Sequence, residues 1–295
     1  MKKILAIAVA TAISAPAMAD MTIGGTYAFG YTDTAGDGGF GTDTAAISIS
    51  ASDELMEGVS IAGGISAGGL TRGASSVTGE NAYMKLSGDF GSVTLAEVES
   101  GSAIRGLGQA GAPVNNMEGE ILGAASNVTL IKYVAPAMGN VTVDLTHAQS
   151  TGMGTGDDTA SNGIGATVKA GMFTARADYT GWADDSSTDD RVRLSAKATF
   201  GAVSVGYGYE DRNYSNSTER TNTILGLNYA LSDATSVGAA VATTETTGSA
   251  ELSGTTVGLS HALSGNVSLS ANYSDWETTA TTDEQKTNVI LAYSF

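Results

Sequence analysis

The sequence is defined first by what it lacks. Its 295 residues include no cysteine and only three prolines. Without cysteine, no disulfide can stabilise the fold and no thiol can serve as a nucleophile or metal ligand. Basic residues are also scarce, because 14 lysines and arginines stand against 31 aspartates and glutamates, for a net charge of −17. Nucleic acids are bound through clustered basic residues, so this balance argues against a nucleic acid partner.

The chain also lacks an apolar run long enough to span a bilayer as a helix. The longest run, at 4–13, follows two lysines, and the sequence Ala-Met-Ala ends the segment at position 19. A basic start, a short apolar core and a small-x-small exit are typical of a secretory signal peptide. We therefore predict that residues 1–19 are cleaved and that the exported chain begins at Asp20.

What the chain does have is a repeated alternation of apolar and polar residues. Ile23, Tyr27 and Phe29 share one parity near the start, and Leu291 and Tyr293 do so near the end. A period of two indicates β-strands, and it recurs in about sixteen segments of roughly 8–11 residues. Apolar residues occupy one parity, while Ser, Thr, Gly and most charges occupy the other parity or the connections. We therefore predict an all-β fold, a transmembrane antiparallel up-and-down β-barrel of about 16 strands.

Short and long connections alternate between these segments, as expected for one barrel with two unlike ends. Short ones include LSGN (263–266), and long polar ones include DTAGDGGFGTD (33–43), RNYSNSTER (212–220) and TTATTDEQ (278–285). A soluble β-sandwich or β-solenoid would also alternate, but a sandwich would carry its charges on the outward faces. We therefore assign residues 20–295 to a single barrel.

Three segments carry a resemblance to a known family. FGSVTLAEVESG (90–101) leads into a long irregular segment, IKYVAPAMGNVTVDLTH (131–147) is similar to an Arg-Tyr-x-Ser-Pro hairpin, and NVILAYSF (288–295) ends in phenylalanine. In these features the chain resembles the general porins of Gram-negative outer membranes, in particular the alphaproteobacterial type. The resemblance implies an outer-membrane, multi-pass channel for passive diffusion of ions and small hydrophilic solutes. A barrel without a pore, such as an adhesin or structural protein, is the alternative.

The resemblance also implies partners. In this family a terminal phenylalanine is read by the barrel insertion machinery, so Phe295 is expected to be the assembly signal. Outer-membrane lipid and lipopolysaccharide would surround the barrel.

Residues 100–126 form the longest stretch without alternation. Gly106, Gly108 and Gly111 spell the G-x-G-x-x-G spacing of dinucleotide-binding loops. That fingerprint needs a following helix in a parallel βαβ unit, but Ala-Pro follows at once and no parallel crossover is evident. We do not interpret the motif as a nucleotide site.

The resemblance gives this stretch another role, since the family's loop after the fifth strand folds into the barrel and narrows the pore. Glu118 and Glu120 are then expected to project into the opening, with Arg105 also at the constriction. An ordinary surface loop is the alternative.

Charges on the predicted wall and loops define the expected pore. Five basic residues lie on the polar parity and should face the lumen: Lys85, Arg176, Arg191, Arg193 and Lys197. Four carboxylates lie in predicted outer loops, where calcium could bridge them to lipopolysaccharide phosphates: Asp157, Asp158, Asp184 and Asp185. No other cofactor is expected. Because acids outnumber bases, we predict a mild preference for cations.

Outward positions of the early strands carry small residues: Gly25, Gly63, Ala67, Gly69 and Ala82. Small residues allow close approach of subunits within a bilayer, so a homotrimer packed through roughly the first five strands and the last strand is predicted. Glu97 shares the outward parity of Leu95, and the sequence gives no reason for it. The two histidines, His147 and His261, accompany no nucleophile motif, so an enzyme is not expected.

Overall fold

The protein, described here from a computed structural model, folds into a closed antiparallel β-barrel. The structure describes residues 20–71, 76–100, 103–115, 117–118, 120–123, 126–150, 160–183 and 187–295. Each strand pairs with its neighbour in sequence, and β1 pairs with β16 to close the sheet. The predicted barrel of about 16 strands is therefore confirmed. The predicted signal peptide lies outside the described residues.

One short helix and sixteen strands make up the described secondary structure. The strands are β1 Asp20–Thr34, β2 Asp37–Met56, β3 Val59–Gly68, β4 Thr78–Gly88, β5 Gly91–Ser100, β6 Ser126–Val134, β7 Val141–Ser150, β8 Ser161–Ala170, β9 Phe173–Trp182, β10 Thr188–Phe200, β11 Val203–Tyr214, β12 Glu219–Ala230, β13 Thr235–Thr246, β14 Leu252–Ala262, β15 Val267–Thr279 and β16 Thr282–Ser294. The helix, α1, is Ala103–Gly108 and follows β5. Among the described residues, no helix is long and apolar enough to cross a membrane.

The two ends of the barrel differ, although less than the sequence indicates. One end, called the turn end, holds the chain termini and short connections such as 231–234 and 263–266. The opposite end is called the loop end. Three of the long loops predicted there are wrong, because the strands continue through these segments and meet in tight turns at 35–36, 215–218 and 280–281. Both faces of a hairpin are wet outside the membrane, so strands there need no apolar alternation. For the same reason several strands exceed the predicted length.

The two faces of the sheet have opposite character, as predicted. Large apolar side chains on the outward parity are highly exposed, including Ile65, Leu194 and Leu225. Outward aromatic residues concentrate on β9–β12, β15, β16 and β1: Phe173, Tyr179, Phe200, Tyr207, Tyr229, Tyr273, Tyr293, Tyr27 and Phe29. Every lysine and arginine of the described strands lies on the inward parity. This polarity suits a barrel with lipid outside and water within.

The seam between β1 and β16 ends at the last residue. Phe295 and Gly25 exchange two backbone hydrogen bonds, each 3.0 Å from nitrogen to oxygen. A Cβ atom at Gly25 would lie 2.5 Å from the tip of the Phe295 ring, so glycine is required beneath it. Gly25 therefore has a reason to be small within its own chain, and its predicted role in subunit packing stays a prediction.

Gly69 was also assigned to the outward surface of a strand, and this is wrong. It lies beyond the end of β3 with a φ of 70°, a left-handed conformation that glycine adopts without strain. Gly63 and Ala82 do lie on the outward parity of β3 and β4, where they are cross-strand neighbours of Met84 and Ile65 respectively.

Candidate functional site: the lumen and its inner loop

The segment between β5 and β6 lies inside the barrel against one side of the wall. Its helix α1 contacts β10, β11 and β12. The only cluster of buried apolar side chains in the described residues lies between this segment and the wall: Ile104, Met117, Ile121 and Leu122 from the segment, and Ile224, Ala240, Ala242 and Trp276 from β12, β13 and β15. The core of this molecule is thus the interface of the segment, here called the inner loop, with the wall.

Glycines on the inward parity of the wall make room for the inner loop. At Gly208 an added Cβ would lie 2.7 Å from the carbonyl oxygen of Ile104. An added Cβ would lie closer still to main-chain atoms of Gln109 at Gly226, and to the side chain of Ala112 at Gly238. Because atoms of the loop occupy these places, residues with side chains would force the loop away from the wall.

The G-x-G-x-x-G spacing has a structural explanation. Gly108 ends α1 and presses on the side chain of Ile224, while Gly111 has a φ of 78°. Gly106 lies within α1, whereas a dinucleotide loop would place its glycines before the helix. Gly108 thus allows the close approach of the inner loop to the wall and Gly111 allows a left-handed turn, while a Cβ at Gly106 would meet open space.

Polar contacts fix the far part of the inner loop. Asn115 donates its side-chain amide to the hydroxyl of Ser274 at 2.6 Å and accepts a hydrogen bond from Asn288 at 3.2 Å. Arg220 donates to the carbonyl oxygen of Ile121 at 3.0 Å. The loop is therefore tied to β12, β15 and β16. Sequence analysis had no means of finding these partners, because they are more than 90 residues apart.

The predicted constriction residues of the loop are placed differently from expectation. Glu118 forms an ion pair with Arg105 at 3.6 Å, and its side chain is only 10% exposed. One carboxylate oxygen of Glu120 is buried. Glu118 is thus mostly covered and does not project freely into the opening, whereas Glu120 is half-buried and its projection stays a prediction. Arg105 is the more exposed partner, at 35%.

The inner loop fills only one side of the lumen. Inward side chains under it are fully covered, as Ile224 and Thr256 at 0% exposure show. On the opposite side, inward residues of β4 remain open, with Tyr83 at 38% and Lys85 also exposed. A water-filled passage therefore lies between the loop and the strands facing it.

A chain of alternating charges crosses the wall from β6 to β10, here called the charge ladder. Asp144 forms an ion pair with Lys132 at 3.2 Å. It also accepts two hydrogen bonds from the guanidinium of Arg176, of 2.6 and 3.1 Å. Arg176 also lies 3.3 Å from Asp178, which in turn pairs with Arg193 at 2.6 Å. Two-pronged contacts of this kind hold side chains in fixed positions.

Of the five predicted wall residues, Arg176 and Arg193 belong to the ladder and Arg191 lies above it near the loop end. Lys85 is the one basic residue of β4, and Lys197 lies beside Gly111 of the inner loop.

Several basic wall residues were not identified from the sequence: Lys132, Lys169, Arg212, Arg220 and Lys286. The parity of Lys132 and Lys169 could have revealed them. Arg212 and Arg220 fell in a stretch that was predicted to be a loop.

The predicted calcium ligands lie outside the described residues: Asp157, Asp158, Asp184 and Asp185. Within the described parts of the chain, no group of three or more potential metal ligands comes together. Both histidines are on the outward face, where His147 contacts Asn162 at 3.0 Å and His261 contacts Thr235 at 2.8 Å.

An apolar groove of about 610 Å³ lies on the outer surface of β1–β6. Its lining includes Gly63, Ala82 and Ile65, together with Glu97 and Thr129. Glu97 is exposed and accepts a hydrogen bond of 3.4 Å from the Thr129 hydroxyl. Tyr83 is the one aromatic residue among the lining residues, and it lies on the inward parity, so no outward aromatic residue lines the groove.

A closed barrel of sixteen strands with its own loop folded into a polar lumen has the architecture of an outer-membrane diffusion channel. The sequence profile described as Gram-negative porin matches residues 6–281. The chain therefore belongs to the Gram-negative porin family, as its resemblance implied. Among curated proteins, no sequence matches the chain.

Three solved structures of similar fold are distant in sequence from this chain. The anion-selective porin from Comamonas acidovorans aligns over 94% of this chain and 100% of its own, with 18% identity and a TM-score of 0.74. A mutant of the Rh. blastica porin aligns over 93% and 100%, with 18% identity and a TM-score of 0.67. The trimer form of OmpT from Vibrio cholerae aligns over 93% and 99%, with 11% identity and a TM-score of 0.69. At these identities the likeness shows the fold.

Proposed function

We propose that this chain forms a water-filled channel for the passive diffusion of ions and small hydrophilic solutes across the outer membrane. The observation that carries the proposal is the half-filled lumen. Under the inner loop, Ile224 and Thr256 are inaccessible, whereas Tyr83 and Lys85 across the barrel are exposed. An adhesin or structural barrel needs no such passage. Passive diffusion needs only the gradient of the solute.

The direct test is conductance. Purified protein reconstituted into a planar lipid bilayer should produce uniform steps of current that scale with the salt concentration. A barrel that binds partners without conducting would leave the bilayer silent, and this result would support the adhesin or structural alternative.

The charge of the passage favours anions over cations. The prediction of cation preference rested on the excess of acids over bases, and four of the loop carboxylates behind it, at 157–158 and 184–185, lie outside the described residues. The wall, by contrast, carries every lysine and arginine of the described strands, whereas fewer strand carboxylates share the inward parity, among them Asp144, Asp178, Glu210 and Glu284. Dissolved salt screens the field of a charge beyond about 8 Å, so charged residues on the wall act more strongly on passing ions than charged residues in distant loops do. The fold neighbour from Comamonas acidovorans is an anion-selective porin.

Under a potassium chloride gradient at low salt, the reversal potential should therefore show anion preference. Replacing the exposed wall residue Lys85 by glutamate should shift it toward cation preference, because the change places a negative charge in the open passage. Glu245→Gln, on the outward face of β13, is the matched control and should change nothing. If the unaltered protein instead prefers cations, the prediction from the sequence is correct and the loop carboxylates set the ion selectivity.

We further propose that the functional form is a homotrimer whose subunits meet at the outer groove of β1–β6. Small residues there would let backbones approach closely, and the lack of outward aromatic residues is unusual for a lipid-facing surface. Burial between subunits would also remove Glu97 from contact with lipid. The trimer form of the Vibrio cholerae fold neighbour is consistent with this assembly.

Gly63→Trp should weaken the trimer, because the indole would fill the groove at a cross-strand neighbour of Met84. Native electrophoresis should then show monomer in place of trimer. Val241→Trp, on the exposed outward face of β13, places the same side chain toward lipid and should leave the trimer intact. If the two variants behave alike, the subunit interface does not lie at this groove.

A further inference from the structure

Three arginines stand side by side on the inner wall near the loop end. Arg191 on β10 is the cross-strand partner of Arg212 on β11, and Arg212 is the partner of Arg220 on β12. Like charges placed directly opposite each other on one face destabilise a sheet. This set, here called the arginine row, therefore needs a compensating negative charge.

The described residues supply that charge only in part. Glu210 is the one carboxylate with ion pairs to the row among the described residues, and its oxygens lie 3.8 Å from Arg191 and 3.5 Å from Arg212. One of these oxygens also accepts a hydrogen bond from Asn222 at 2.9 Å. Asp178, the next carboxylate on the wall, is already held by Arg176 and Arg193.

The donors of the row are unequally satisfied. Arg220 donates to the Ile121 carbonyl, the Thr244 hydroxyl and the Asn222 side chain. By contrast, the Nε atoms of Arg191 and Arg212 are buried and have no hydrogen-bond partner among the described residues. Buried polar groups are normally paired, so two such donors on adjacent arginines point to a missing acceptor.

An aromatic residue holds the two under-satisfied arginines in place. The guanidinium carbons of Arg191 and Arg212 lie 5.1 and 6.0 Å from the centre of the Trp182 ring. Cation–π attraction fixes their planes without neutralising their charge. The result is a positive, preorganised corner that opens into the lumen.

We infer that Arg191, Arg212 and Trp182 form a binding subsite for small oxyanions, such as inorganic phosphate, at the loop-end mouth of the channel. The fork of a guanidinium matches the paired oxygens of such an anion. A bound oxyanion would accept from the unpaired Nε groups and relieve the repulsion along the row. The inference rests on the proposed function, because the solute reaches the subsite through the lumen. Lipid does not contact this inner face, so the ligand is a free solute.

Binding can be measured without conduction, from the ³¹P NMR line width of inorganic phosphate mixed with folded protein in detergent. The unaltered protein should broaden the line in a saturable way. Arg212→Gln should weaken phosphate binding about tenfold, since it removes a charge-assisted hydrogen bond. Lys286→Gln, on the inner face of β16, removes the same charge away from the row and should bind phosphate as the unaltered protein does.

Arg191→Gln provides a second variant and should behave like Arg212→Gln. Each variant also relieves the like-charge repulsion, so folding should be retained, as shown by altered electrophoretic mobility on heating. Absence of saturable broadening with the unaltered protein would overturn the subsite, as would equal losses in Lys286→Gln and Arg212→Gln. If the protein binds phosphate but does not conduct, the subsite is supported and the proposed channel function is refuted.

Discussion

Deleting residues 106–118 should roughly double the conductance of a single channel, because the inner loop covers much of one side of the lumen. The strands β5 and β6 on either side keep all their pairing, so the barrel should stay closed. Stability should fall, since Ile224 and Trp276 would lose their cover and each large apolar side chain contributes about 1.5–3 kcal/mol when buried. Planar-bilayer recording gives the conductance, and thermal unfolding gives the stability.

A matched deletion distinguishes the inner loop from connections in general. Removing residues 248–250 shortens the hairpin between β13 and β14 at the loop end, which contributes nothing to the buried cluster. Its conductance should equal that of the unaltered protein. If the inner-loop deletion conducts no better than this control, the constriction lies elsewhere on the wall.

Loss of Phe295 should sharply reduce the amount of folded barrel in the outer membrane of cells. The deletion removes two backbone hydrogen bonds with Gly25, each contributing about 1 kcal/mol, and also the ring that covers it. Phe295→Ala separates the two effects, because it keeps the backbone hydrogen bonds and removes only the ring. Heat-modifiable protein in outer-membrane fractions measures assembly in cells.

Refolding of the purified chain into detergent distinguishes an assembly signal from simple packing. If insertion machinery reads the ring, Phe295→Ala should assemble poorly in cells but refold nearly normally in detergent. If the ring matters only because it packs on Gly25, both measurements should fall together. Normal assembly of Phe295→Ala in cells would contradict the assembly signal.

Prediction of the lumen from the sequence succeeded where one strand carries the information. Parity alone assigns Lys85, Arg176 and Arg193 to the inner face, because successive side chains of a strand point to opposite sides. It failed for Arg212 and Arg220, since strands that project into water lose the apolar signal that marks them. It also failed for Glu118, because its orientation depends on Arg105 and on packing against a distant wall.

The sequence by itself determined the barrel, its sixteen strands and the family. Alternation is a local property: within each strand, outward apolar residues alternate with inward glycines, serines and threonines, and this pattern repeats along the chain. Only the tertiary structure decided how the inner loop lies, which glycines give it room, and which arginines become neighbours. Gly226 beneath Gln109 and Asn115 beside Ser274 are contacts between segments far apart in the chain. They depend on how the whole barrel closes around the inner loop, so no window of sequence contains them.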